Sequence, residues 1–451
     1  MSVLDAVETA VPSADQRRWI TDAQAAIDQE LLRQLVIGMV GKASPTGEEA
    51  PLARWLVETM NARGLPARLQ PIDDTQANAL ARLPGDGSGA DLLLYAPLDT
   101  LTAGSEDEDL PWVGPLLRPD MRPHAVEIGH FILGLGASNP KGHGACLIAA
   151  ADAVRRAGIP LKGDVLIGLG AGGMPTNRRG RAPIRRYNAG QGSGCSFMLE
   201  QGFWADYALV TKPGWAVSWE EVGLCWFEVT VHGTFSYVGS RHRMPYANAI
   251  VSAAILITEL ERWFPEYTAR HTRGLVAPQA HIGSIEAGWS RMAAVSPAAC
   301  KLIVDLRISP RCTPADARAE FAAAIEKIRA SHPDLNLSWD MTLSIPGTAT
   351  NEKSWIVGAA IEAWQDGTGG EHAPIVGTSG ATDANILRAR GIPTARIGMG
   401  RIGPDAPIEL DFPATMNVVD VREMHRLTRH LVHTIVNTVT RPAERRSPVD
   451  F

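Results

Sequence analysis

Several signals that place a chain quickly are missing from these 451 residues. Cysteine is scarce. The five residues Cys146, Cys195, Cys225, Cys300 and Cys312 are odd in number, far apart and form no C-x-x-C pair. That spacing excludes a disulfide framework and a cysteine zinc site as organising features. No run is long and apolar enough to span a bilayer. Met1 to Trp19 lacks a basic segment followed by an apolar stretch, so no secretion signal is expected and a reducing cytoplasm is the expected location. Positive charge is not in excess either. The net charge of −6 makes neither nucleic acid nor an anionic membrane surface an expected partner. Repeats and low-complexity tracts are absent, and there is no G-x-S-x-G nucleophile elbow.

What is present is an ordinary globular composition, 45% hydrophobic and 20% charged, on a chain too long for one core. Two domains are expected. Helical apolar spacing runs over Ile27 to Val40, and a second helix from about Glu49 to Arg63 follows Ser44-Pro45-Thr46-Gly47. Strand-like runs come at 91–96, 164–169, 207–211 and 393–397, with a helix at 144–157 between the first two. That alternation predicts a mainly parallel sheet covered by helices. The segment from about Ser218 to Thr342 reads differently. Phe227, Val229 and Val231 alternate with Glu228, Thr230 and His232, as in a half-buried strand. A helix over 246–264, strands near 280–285 and 301–308, a helix over 314–330 and a strand near 335–342 complete the order β-α-β-β-α-β of a ferredoxin-like domain. The fold class expected is therefore α/β: a catalytic-type domain of residues 1–216 and 343–451, interrupted by an α+β domain over 217–342.

Ligands of open parallel sheets bind beyond the carboxyl ends of the strands. Here those ends read Pro97-Leu98-Asp99-Thr100, Gly170-Ala171-Gly172-Gly173 and Lys212-Pro213-Gly214. Gly168-x-Gly170-x-x-Gly173 mimics a dinucleotide fingerprint, but Pro175 and an arginine-glycine loop interrupt the helix that should receive a pyrophosphate. The loop, 176–194, carries Arg178, Arg179, Arg181, Arg185 and Arg186; a solvated basic loop is its simplest meaning. Cys146, three residues after His143, fits a buried inert thiol.

Five motifs in order are more specific: Ser44-Pro45-Thr46-Gly47-Glu48, the strand end Leu98-Asp99-Thr100, Gly134-x-Gly136-Ala137-x-x-x-Lys141-Gly142, Gly380-Ala381-Thr382-Asp383-Ala384, and Gly391-Ile392-Pro393. Together they resemble the zinc amidohydrolase and peptidase family of acetylornithine deacetylase, succinyl-diaminopimelate desuccinylase, aminoacylase and carboxypeptidase G. The resemblance covers nearly the whole chain and implies a dizinc catalytic domain with an inserted lid that dimerises. Yet the family's ligand positions fall on residues of other chemistry. Its first histidine falls on Pro97, its bridging aspartate on Asn139, its glutamate pair on Ala171-Gly172-Gly173, its later carboxylate on Lys212 and its last histidine, in a looser register, on Pro413. The lid histidine that steadies the tetrahedral intermediate falls on Tyr237. Zinc needs about four His, Cys or carboxylate donors per ion, and an ammonium repels it. A divergent member lacking the metal ligands is the resulting expectation, with no metal and no other cofactor.

The candidate catalytic residues are then Lys212, Tyr237, Asn139, His143 and Asp99, and the candidate substrate-binding residues Arg307, Asn248, Gly380 and Thr382. Each has a structural alternative. Lys212 could snorkel to water, Asn139 and His143 could serve a helix start, and Tyr237 could be a core aromatic. Arg307, matched to a family arginine that grips a carboxylate, could instead pair with Asp305. Asp99 could be satisfied by backbone amides. The leading expectation is a metal-independent enzyme, a hydrolase acting on an amide, imide or related C–N bond of a small carboxylate-bearing substrate. A lyase or isomerase on the same scaffold is the variant of that expectation. A non-catalytic small-ligand-binding or scaffold relative is the rival, and a single-metal enzyme needs Asp99, His143 and Asp383 to converge. The expected partners are a small-molecule substrate and a second copy, as a homodimer through the lid.

Overall fold

A computed structural model of the chain describes residues 10–176 and 190–442. They divide into two compact units. One comprises residues up to Trp219 with Thr350–Ile375 and the chain from Thr382; the other comprises Glu220–Ala349 with Val376–Ala381.

The first unit is built on a six-stranded sheet, in the order Ala67–Pro71, Ala77–Leu83, Val165–Gly170, Leu92–Pro97, Tyr207–Thr211, Thr394–Ile397. The last four are parallel, and Ala77–Leu83 runs antiparallel to both of its neighbours. Both faces are apolar because both are covered, as in parallel sheets generally. Leu92, Leu94 and Ala96 pack with the helices Gln29–Val40, His143–Arg156 and Val421–Val439, while Leu93 and Tyr95 pack with Cys195, Met198 and Leu387 on the other side. Val421–Val439 starts where the Asp420 carboxylate accepts from the Arg422 amide at 2.8 Å, a side-chain cap.

The second unit is a four-stranded antiparallel sheet with two helices, Ala249–His271 and Pro314–Ser331. Its spatial order is Ala280–Ala287, Ala299–Ile308, Gly223–His232, Leu337–Ile345, so the first and third strands in sequence lie at the centre. That is the ferredoxin-like arrangement. Phe227, Val229, Leu302, Val304 and Leu306 turn toward Leu256, Leu260 and Phe321 of the helices, and Phe227 stacks on Phe321 at 4.1 Å. The first helix begins at Ala249, later than its apolar pattern suggests. Asn248 takes the cap position and its side chain accepts from the Ile250 amide at 2.9 Å. None of the described helices is long and apolar enough to cross a membrane.

Candidate functional site

The carboxyl ends of the parallel strands bring three elements of the first unit together: Asp99 after Leu92–Pro97, the turn Ala171–Met174 after Val165–Gly170, and Lys212 after Tyr207–Thr211. Asp99 is fully buried and fully engaged. Its Oδ1 accepts from the Gly173 amide at 2.8 Å, and its Oδ2 accepts from the Met174 amide at 2.8 Å and the Thr46 hydroxyl at 2.7 Å. Burial raises its carboxyl above the usual range, against those hydrogen bonds and the charge of Lys212.

Lys212 is 9% exposed, so it is not a snorkelling surface lysine. Its charge acts on both Asp99 and His143. The next strand runs against it so tightly that a Cβ on Gly398 would stand 1.6 Å from the Lys212 carbonyl and 2.8 Å from His143 Nε2. His143 has both ring nitrogens occupied. Nδ1 donates to the Ser138 carbonyl at 2.8 Å and Nε2 accepts from the Met399 amide at 3.2 Å. Burial pushes its imidazole down to about 3, so it is neutral at any ordinary pH.

Asn139 is buried beside the helix Phe412–Asn417, which carries Pro413. Its Nδ2 lies 3.4 Å from Met416 Sδ, and its Oδ1 has no hydrogen-bond partner. It does not cap the helix at His143, which starts without a side-chain cap. Thr382 accepts from the Ala384 amide at 3.2 Å, in the turn that presents Asp383. Asp383 Oδ2 accepts from the Tyr95 hydroxyl at 2.7 Å. A Cβ on Gly173 would lie 3.1 Å from both Asp383 Oδ2 and Asp99 Oδ1, so the two carboxylates share one small space that only glycine leaves open.

Two residues that carry the site were not among the candidates. Glu49, beside the exposed Glu48 of the first motif, is fully buried. Its Oε1 accepts from the amides of Gly47 and Gly172, each at 2.9 Å, and Gln76 donates to its Oε2 at 3.1 Å. Burial and then the charge of Asp99 push it up to about 7. Tyr95 was read only as a strand residue. The one legible signal for Glu49 is an acidic residue at a helix start after a glycine turn, which normally means a cap. Lys141 is also sealed in. It donates to the Lys42 carbonyl at 2.9 Å, and burial draws it down to about 7. Cys146 is buried too, its thiol pushed up to about 12.

The remaining candidates lie in the second unit. Tyr237 is 59% exposed, which removes the core-aromatic alternative. Asn248 spends its carbonyl on the helix cap, and its Nδ2 donates to the Tyr246 hydroxyl at 3.2 Å. Arg307 pairs with Asp305, Nη2 to Oδ2 at 2.9 Å, on one face of Ala299–Ile308. Gly380 is exposed, with nothing near the place of a Cβ. The five arginines at positions 178–186 lie outside the described residues.

Residues 220–333 match the family model described as the peptidase dimerisation domain. Solved structures similar over nearly the whole chain include the dipeptidase Dug1p from Saccharomyces cerevisiae, with a TM-score of 0.68 and 12% identity, covering 94% of this chain and 99% of that one. Human carnosine dipeptidase 1 has a TM-score of 0.66 and 16% identity, covering 95% and 100%. Aminopeptidase PepT from Bacillus cereus has a TM-score of 0.62 and 17% identity, covering 92% and 100%. The fold is thus that of the M20 peptidases, a mixed α/β catalytic-type domain with a dimerisation lid.

A dinuclear metal centre is expected of that fold, and the donors present do not fit one. Both ring nitrogens of His143 are taken by protein partners, which removes it from the single-metal arrangement, and Asp99 already accepts three hydrogen bonds. Asn139 offers one neutral oxygen. Among the described residues no group of three His, Cys, Asp or Glu is placed to hold an ion, and residues 177–189 contain none of these four types.

Proposed function

We propose that the protein is a hydrolase of an amide, imide or related C–N bond in a small carboxylate-bearing molecule, working without a dizinc centre. The observation that carries this reading is Lys212, a buried ammonium at the carboxyl end of the parallel sheet whose charge reaches Asp99 and His143. A fixed positive charge in a buried site stabilises a developing oxyanion, the task metal ions perform in the dinuclear relatives. The similar structures named as dipeptidases and an aminopeptidase support amide chemistry as the first choice over a lyase or isomerase. A carboxylate on the substrate remains assigned to Arg307 through the resemblance alone, since its guanidinium is paired with Asp305 at 2.9 Å, the structural alternative for this residue.

A second reading has its own observation. His143 cannot take a proton at Nε2 without giving up the Met399 amide, and Asp99 is held by two backbone amides and a hydroxyl. That favours a relative that binds a small ligand and does not turn it over. One screen separates the two. The purified protein is offered N-acyl amino acids, N-carbamoyl amino acids and cyclic imides, with turnover and ligand-induced melting shifts read together. Turnover that survives a chelator supports the hydrolase. Melting shifts without turnover support the binding protein, and turnover that needs added zinc overturns metal independence.

We further propose a homodimer through the lid, in the cytoplasm. The matched dimerisation domain supports the first. So do the edge strand Ala280–Ala287 with exposed Ile285, and the exposed Ile250, Val251 and Ile255 on the lid's first helix. Five free, buried cysteines support the second.

A further inference from the structure

The second unit holds a cleft of about 270 Å³ at the ends of its helices. Three pieces of chain meet there: the end of Ala249–His271 with the turn after it, the turn 309–313, and the start of Pro314–Ser331. Arg270, Arg273 and Arg311 line it, with His271, Asp316 and Glu320. The carboxylates of this group are already committed. Glu320 accepts from Arg270 Nε at 3.1 Å on Oε1 and meets His271 Nε2 at 2.7 Å on Oε2. Asp316 Oδ2 accepts from the Thr313 amide at 2.9 Å and the Thr313 hydroxyl at 2.7 Å, within the helix cap. The buried Glu220 pairs with Arg311 and accepts from the Leu275 amide at 3.0 Å.

The arginines are not used up. A guanidinium carries five N–H donors in a rigid fork. Arg311 spends only Nη1, on Glu220 and, at 3.4 Å, on the Arg273 carbonyl. Arg273 is exposed, and its guanidinium has no hydrogen-bond or ion-pair partner among the described residues. The cleft is therefore rich in unspent donors and poor in unspent acceptors. Its three arginines balance Glu220, Glu320 and Asp316 in charge, so it selects by the geometry of its donors rather than by net charge. A cation finds no acceptor there. A planar carboxylate fills one fork. A tetrahedral phosphate has oxygens enough for Arg273 and Arg311 together, and the start of a long helix favours its charge. The volume lies just below the roughly 300 Å³ at which drug-sized sites begin, which suits a phosphate with a few attached carbons.

We propose that this cleft binds a phosphate group, as the free ion or as the phosphate ester of a small molecule, held by Arg273 and Arg311. Arg311 reaches it with Nε and Nη2 while Nη1 stays on Glu220, and Arg273 gives its whole fork. Such a site needs none of the chemistry proposed for the first unit.

Calorimetric titration of the full chain at pH 8 and low chloride tests it, with inorganic phosphate, glycerol 3-phosphate and acetate as probes. Wild type is expected to bind phosphate about tenfold or more tightly than acetate. Arg273→Gln removes a charge that has no protein partner to lose. It is expected to weaken phosphate about tenfold or more and to keep the wild-type melting temperature. Arg311→Gln is expected to weaken phosphate as much, but it strips Glu220 of its ion pair. Circular dichroism checks its folding; if it does not fold, Arg273→Gln carries the test alone. Arg262→Gln removes an arginine of the same helix as Arg270 that pairs with Glu259 outside the cleft, and it is expected to change nothing. Tighter binding of glycerol 3-phosphate than of phosphate identifies an ester as the ligand, and equal or weaker binding identifies the free ion. No phosphate binding by wild type, or unchanged binding by Arg273→Gln, overturns the site. An equal loss in Arg262→Gln also overturns it, by reducing the effect to surface charge. So does acetate that binds as tightly as phosphate.

Discussion

Glu49 and Asp99 divide three consecutive backbone amides between them. Glu49 accepts from Gly172, and Asp99 accepts from Gly173 and Met174. The turn 172–174 is thus held in a clasp by two buried carboxyl groups. They are close enough that the charge of Asp99 raises the Glu49 carboxyl. Their positions also explain why the turn is glycine-rich, since its amides must reach buried oxygens and a side chain at 173 would collide with Pro97.

The clasp makes stability depend on pH. Glu49 binds its proton more tightly in the folded chain, at about 7 against an ordinary 4.5. It therefore favours the fold below pH 4.5 and costs stability as pH rises through about 7. Glu49→Gln keeps an oxygen for the Gly47 and Gly172 amides and cannot ionise. Its free energy of unfolding relative to wild type, from urea titration, is expected to improve between pH 5 and pH 8 by on the order of 1–3 kcal/mol. A difference that does not vary with pH contradicts the clasp.

A group of opposite sign lies on the C-terminal helix. His430 is buried, donates through Nε2 to the Ala360 carbonyl at 2.8 Å, and is pushed by burial down to about 3. Its stabilising effect is complete above pH 6.5 and is lost as pH falls toward 3. His430→Gln keeps a donor for Ala360 and removes the titration. Urea unfolding at pH 6.5 and pH 4 is expected to show a smaller acid loss in the variant, by on the order of 3 kcal/mol. Equal losses place the acid sensitivity elsewhere.

Metal content follows from the donors. Elemental analysis of the purified protein is expected to find well below one zinc per chain, and EDTA is expected to leave the melting temperature unchanged. The reason is that both ring nitrogens of His143 and both oxygens of Asp99 are hydrogen-bonded within the protein, and that no group of three His, Cys, Asp or Glu among the described residues is placed to hold an ion. One or two tightly bound ions per chain contradict this.

The dimer has a local test. Ile285 is 55% exposed on the lid's edge strand, where a charge blocks strand pairing. Light scattering is expected to give twice the 48.4 kDa chain mass for wild type and the chain mass for Ile285→Lys. A wild-type monomer at micromolar concentration contradicts the proposal.

The layering of both units was legible in the chain because it rests on short-range periodicity. Period two in Phe227, Val229 and Val231, and the all-apolar runs at 92–96 and 165–169, follow directly from which faces are covered. The strand ends were legible for the same reason, whereas backbone amides around Asp99 stood only as an alternative to a catalytic role. Asn248 was misplaced inside a helix because apolar spacing extends past a cap that only the side-chain bond reveals. Glu49 and Tyr95 were invisible as site residues. Their partners, Gly172 and Asp383, are more than a hundred residues away, and no local pattern announces a bond of that range.

Lys212 is where the functional reading can fail outright. Its buried charge lowers the proton affinity of both Asp99 and His143. At an effective dielectric near 20, a unit charge about 4 Å from a developing oxyanion contributes on the order of 4 kcal/mol before desolvation. That is less than two zinc ions supply, so the substrates turned over are expected to be more reactive than a simple peptide. Lys212→Met keeps the length and apolar body of the side chain and removes the charge. Once a substrate is found, kcat is expected to fall about a hundred- to thousandfold, with the fold intact by circular dichroism. Arg307→Lys, which touches recognition, is expected to raise KM instead. Turnover by Lys212→Met at the wild-type rate ends the surrogate role, and leaves Lys212 as the counter-charge of Asp99 in a site that binds without reacting.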